Sequence, residues 1–225
     1  MQLIEKIMAK KKNITQNNIT SFYMDYVLEH DEKPKSVYIF AKHNNFDESK
    51  FYEHFTSFEA IEKHVFKAFH DNTIAVLNKS EDYHDFEPRN KLLSYYFTFF
   101  ENLTANRSYV VYALNKHKNN LKNYSVLKEL KHSFTAYISN LGIELIDIKQ
   151  ERLDKIQNRG LKESAWVQLL LTMKFWMDDT SSSFEKTDVF IEKSVNTSFD
   201  VLNVAPLKSL IDFGKFIFKE KVKMN

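Results

Sequence analysis

The chain contains no cysteine, which excludes disulfides, thiolate nucleophiles and cysteine-based zinc sites. Glycine and proline are almost as scarce, with three of each in 225 residues. A β-rich fold of this length needs more turn residues, so the shortage favours long helices. Gly142, Gly160 and Gly214 are too far apart to build a phosphate loop or a dinucleotide fingerprint. No stretch approaches the ~18 apolar residues of a membrane-spanning helix. Met1 to Met8 is too short and too charged for the apolar centre of a signal peptide, so a cytoplasmic protein is expected. A formal net charge of +2 gives no dominant field of one sign.

Catalytic signatures are also missing. The eight histidines are scattered, and no two stand four residues apart as a helical metal pair requires. There is no Gly-x-Ser-x-Gly elbow. Carboxylate pairs such as Asp178-Asp179 and Asp147/Glu151 read as caps and surface charges. The expectation is a protein that is not an enzyme and needs no metal or cofactor.

What the chain does have is a patterned stretch from Ser36 to Glu59. Apolar residues at Val37, Phe40 and Ala41, then at Phe51 and Phe55, give two short helices one inward stripe each. Asp47 suits an N-cap for the second, and Thr56 or Ser57 for a third, with Glu59 in its first turn. Two short helices across a tight turn form a helix-turn-helix, whose second helix can enter a DNA major groove.

These residues resemble the N-terminal domain of the TetR family of bacterial regulators. Ser36, Val37, Ala41, Tyr52, His54, Phe55, Ser57 and Glu59 stand where the family pattern places them, and Phe51-Tyr52-Glu53-His54-Phe55 is the most specific segment. The resemblance covers roughly residues 15–70. It implies an all-α fold, with a three-helix helix-turn-helix domain over 1–70 and a larger helical ligand-binding and dimerisation domain over 71–225. It also implies that Ser49, Lys50, Tyr52 and His54 face DNA, with Ser36 and Lys42 near phosphate. Three departures stand out. Asn45 replaces the usual turn glycine, and asparagine tolerates a left-handed conformation. Glu48 and Glu53 put acids on the recognition helix. Phe58 replaces a lysine that usually opens the next helix. Residues 1–70 hold ten lysines, no arginine and ten acids, whereas DNA-binding domains are typically basic. Lys6, Lys10, Lys11 and Lys12 form a basic arm ahead of the first helix.

Helix one is expected from about Thr15 or Asn18 to His30, stopped by Asp31-Glu32-Lys33-Pro34. A long helix opens at Ser57 and runs past Leu77. Lys79 to Glu87 lacks helical periodicity and reads as the main loop, with Pro88 starting the next helix. Helical pattern continues over 88–103, 106–119, 121–148, 160–179 and 184–202. Between Arg107 and His132, six cations (Arg107, Lys116, Lys118, Lys122, Lys128, Lys131) face the single acid Glu129. Pro206–Lys223 reads as a basic amphipathic helix that suits either a membrane interface or its own domain.

Aromatic residues make up 15% of the chain. In a TetR-like effector domain they imply a cavity for an apolar or lipid-like ligand. Phe97, Phe100, Tyr112, Phe134, Tyr137, Trp166, Phe175 and Trp176 are the candidates. Two readings stay open. One is a dimeric, ligand-responsive transcriptional regulator that binds DNA. The other is a TetR-fold lipid-binding protein that has lost DNA binding and acts at a membrane surface, like the coenzyme-Q biosynthesis lipid-binding protein. Glu48, Glu53 and Phe58 speak for the second, the Phe51–Phe55 motif and the lysine arm for the first.

Overall fold

The computed structural model describes residues 14–115, 125–143, 151–202 and 216. Among these, regular structure is helical throughout: α1 (Gln16–His30), α2 (Val37–His43), α3 (Glu48–His54), α4 (Phe58–Leu77), α5 (Pro88–Ala105), α6 (Arg107–Asn115), α7 (Lys128–Asn140), α8 (Glu151–Asp178) and α9 (Glu185–Leu202). Short 3-10 turns cover Asp82–Asp85 and Ser182–Phe184.

The helices begin and end where local chemistry dictates. Thr15 opens α1 with a capping box. Its hydroxyl accepts from the Asn18 amide, and the Asn18 side chain accepts from the Thr15 amide. Asp31 stops α1 in the left-handed region, at φ 52. Ser36 Oγ accepts from Ile39 N to start α2. Asn45, at φ 55, makes the turn into α3. Asp47 stands at the N-cap of α3 without a capping hydrogen bond. Of the two candidates before α4, Ser57 does the capping, accepting from Ala60 N.

The chain divides into two units. One takes in Met1–Ala68 and Leu103–Leu130, the other Phe69–Asn102 and Lys131–Asn225. A division at residue 70 does not provide for the return of 103–130 to the first unit. There α6 packs against α1, adding the buried Tyr109 and Val110 to the α1 stripe of Ile19, Tyr23 and Val27. Phe40, fully buried, meets the rings of Tyr23, Tyr26, Phe46, Phe51 and Phe58 at 5.5–6.4 Å. Phe58 also stacks on Tyr23 at 5.5 Å. The position held by lysine in the family pattern is thus part of the aromatic core here.

The second unit is built around the rings of α5, α7 and α8. Two of its features differ from the sequence expectation. The polar 79–87 stretch is not wholly irregular, because the Asp82–Asp85 turn buries Tyr83. The Tyr83 hydroxyl lies 2.9 Å from that of Tyr137, which itself donates to the Lys91 carbonyl, so Tyr83 is the donor. The helix expected from Gly160 begins nine residues earlier, at Glu151. A lone glycine costs a helix only about 1 kcal/mol, which 28 residues absorb. Residues 116–124, 144–150 and all of 206–223 except Phe216 lie outside the described residues, and with them three cations of the basic segment and the C-terminal amphipathic stretch. Phe216 itself is helical and exposed. No helix among the described residues is long and apolar enough to cross a membrane.

Candidate functional site

The outward face of α2 and α3 is the natural candidate for a nucleic-acid interface. With Phe40, Ala41 and Phe51 turned inward, Tyr38 (58% exposed), Ile39 (46%) and Tyr52 (55%) point to solvent. Lys42 is also exposed, its ammonium 6.0 Å from the Tyr38 ring centroid. Ser49 is exposed on α3. Lys50 is held along the helix surface by Glu53, 2.7 and 2.9 Å from its two carboxylate oxygens. Ser36 is exposed at the N-cap of α2, where its Oγ accepts from Ile39 N and its hydroxyl hydrogen is left to donate. His54 is half-buried, and its Nε2–H donates to the Ile14 carbonyl at 3.2 Å. It therefore ties the end of α3 to the chain entering α1. Of the six residues expected at DNA, Lys42, Ser49, Lys50 and Tyr52 are on the outward side of α2 and α3, Ser36 is exposed at the α2 cap, and His54 is turned to the Ile14 carbonyl. Tyr38 and Ile39 were missed by sequence reasoning. The Val37, Phe40, Ala41 spacing already places them on the opposite side of α2.

Behind this face lies a buried charge network. The Glu62 carboxylate on α4 accepts from the Tyr23 hydroxyl at 2.7 Å and from Lys33 at 2.9 Å. Lys33 reaches Glu59 as well, at 3.2 Å. Burial disfavours the Lys33 charge, but the two carboxylates outweigh it and leave the pKa above the ordinary lysine value. Burial pushes the Tyr23 phenol far up, and the field of Glu62 adds to it. Tyr112 on α6, half-buried, is pushed up to about 12 by the same two causes. The network fastens the Lys33 loop between α1 and α2 to α4.

The ring candidates for a ligand site separate into groups. Phe100, Phe134, Tyr137, Trp166 and Trp176 belong to one buried cluster in the second unit. Phe100 meets Trp176 at 6.2 Å, and Phe134 meets Tyr137 and Trp166, each at 6.4 Å. Tyr95 joins it, stacked on Tyr137 at 4.7 Å and sharing a 2.7 Å hydrogen bond with the buried His70. Phe97 points outward instead. Tyr112 belongs to the first unit. Phe175 stacks on Phe190 at 4.5 Å, on the wall of an open groove of about 420 Å³ between α8 and α9. Sequence reasoning also missed Tyr96. It is fully buried among Phe100, Phe134 and Tyr95, and its hydroxyl has no hydrogen-bond partner among the described residues. Only its place on the buried side of α5 hints at this, and no sequence pattern reveals an unpaired hydroxyl.

The α8–α9 turn is set by one residue. The Asp179 carboxylate accepts from the amide and hydroxyl of both Ser181 and Thr187, at 2.7–2.9 Å. Burial raises its pKa, but these four hydrogen bonds outweigh burial and hold the carboxyl well below the usual range. Beyond the turn, Val167, Leu171, Val189 and Val201 leave an apolar surface on the two helices. Among the described residues no cluster of histidine and carboxylate side chains suits a metal ion.

Comparison with known proteins places this arrangement. No individual curated protein matches the chain. The model of the tetracyclin repressor-like C-terminal domain matches residues 91–217, the part of the chain that carries the aromatic cluster and the α8–α9 pair. With more than half of its length matched, and an all-α fold throughout the described residues, the chain belongs to the TetR-like family of regulators.

Proposed function

We propose that the protein is a TetR-like transcriptional regulator that binds duplex DNA as a homodimer and responds to an apolar or amphipathic small ligand. The observation that carries this reading is the α2–α3 unit, capped by Ser36, turned at Asn45 and presenting Tyr38, Lys42, Ser49 and Tyr52 outward. A dimer places two such units on half-sites about one helical turn apart. The buried ring cluster of the second unit supplies an apolar environment for a ligand, and the Tyr96 hydroxyl a polar group to orient it. A ligand that fits one spacing of the two α3 helices better than another shifts the population between DNA-binding states. The protein would work in the cytoplasm, free of any cofactor.

Selection from random-sequence duplexes, repeated at several salt concentrations, tests this directly. An enriched two-fold motif with salt-dependent affinity is the expected result. The absence of both an enriched site and salt dependence would sink the regulator reading. The lipid-binding alternative draws on Glu48, Glu53 and Phe58, and on Pro206–Lys223, which except for Phe216 lies outside the described residues.

A further inference from the structure

The recognition segment is unusually poor in usable positive charge. From Ser36 to Phe55 it carries Lys42 and Lys50 against Asp47, Glu48 and Glu53. One of the two lysines is already engaged, because the Lys50 ammonium sits 2.7 and 2.9 Å from both oxygens of Glu53. The i,i+3 spacing on α3 builds this pair into the sequence. Both side chains are about half exposed, at 42% and 52%, so the pair contributes little to stability. Its consequence falls on whatever anion approaches the helix. A phosphate that would use Lys50 must first displace a carboxylate that stays at the interface and repels it. What remains on the same face is one exposed cation, Lys42, 6.0 Å from the Tyr38 ring centroid, and the neutral Tyr38, Ile39, Ser49 and Tyr52.

Resting on the DNA reading above, we propose that Glu53 limits the phosphate affinity of α3 by neutralising Lys50, so that discrimination falls to the hydroxyl and apolar groups beside it. Non-specific binding is driven almost wholly by phosphate neutralisation and counterion release. Withholding one cation per subunit therefore weakens non-specific binding more than base reading. Specificity is the difference between those two affinities. Glu53 is in this sense a specificity-determining residue that need not touch a base.

The test is a double-mutant cycle over E53Q and K50Q, reading affinity for a random-sequence 25-base-pair duplex as a function of salt. E53Q alone is expected to tighten binding roughly tenfold near 0.1 M salt for each subunit engaged, and to steepen the log–log salt slope by about 0.9. In the K50Q background the same change should leave the slope unaltered. Equal steepening in both backgrounds would show Glu53 acting as a lone repelling charge and would overturn the proposal, as would no change in either. If none of the four proteins binds the duplex in a salt-dependent way, the DNA reading itself fails and the proposal falls with it.

Discussion

At the scale of single residues, the buried polar groups make the sharpest expectations. Glu62 is buried and held by Tyr23 and Lys33. Tyr23→Phe removes one donor from that carboxylate and should cost about 1.5–3 kcal/mol, read as a lower urea midpoint at unchanged m. Tyr96 is the opposite case. Its hydroxyl is desolvated without compensation among the described residues, so Tyr96→Phe should leave stability unchanged or raise it by up to about 1 kcal/mol. The same variant should weaken the response to ligand if that hydroxyl orients it. A clear fall in the melting temperature would instead reveal a partner for the hydroxyl. Asp179 gives a pH expectation. Its folded pKa is depressed, so its contribution is fully present above the unfolded carboxylate value near ~3.9 and is lost as pH falls toward the folded value. Asp179→Asn should lower the melting temperature at neutral pH and flatten its decline between about pH 5 and pH 2.

At the scale of elements, the same backbone problem is solved twice, once in a form that sequence reveals and once not. The α2–α3 turn was legible. Ser36 caps, the apolar spacing fixes the inward stripe, and Asn45 is a residue able to take a positive φ. Phe40→Ala should cost about 3–5 kcal/mol, since Phe40 is the ring on which Tyr23, Phe51 and Phe58 converge. The α8–α9 turn shows in the sequence only as the gap between the helical patterns at 160–179 and 184–202. Ser183 and Phe184 both adopt positive φ, at 51 and 61, held there by Asp179 hydrogen bonds that reach eight residues along the chain. Propensity gives no warning of such a turn. Ser183→Gly relieves the strain at an exposed position and should stabilise by about 1 kcal/mol in thermal unfolding. The aromatic positions divide in the same way. Their residue types were plain, but whether a given ring faces the cluster, like Phe100, or solvent, like Phe97, depends on how α5 is rotated against its neighbours. That rotation is a property of the packed unit and not of the local pattern.

At the scale of the whole molecule, the apolar surface of α8 and α9 makes the proposed dimer testable. Leu171 and Val189 are about half exposed, a cost that a second copy would remove. Placing glutamate at both positions should convert a dimer to a monomer in sedimentation equilibrium, and remove any rise of the melting temperature with protein concentration. The all-α architecture was written in the shortage of glycine and proline, but the path of the chain through it was not. The segment that lays α6 against α1 looks like any other amphipathic helix until its partner is known. This return of Leu103–Leu130 to the first unit has a consequence for synthesis. A nascent chain that has emerged only as far as residue 68 has α2 and α3 in hand, yet it lacks the helix that covers Tyr23. The unit that carries α2 and α3 is completed only after the ribosome has also delivered all of α5 and α6. The second unit's chain is by then already begun.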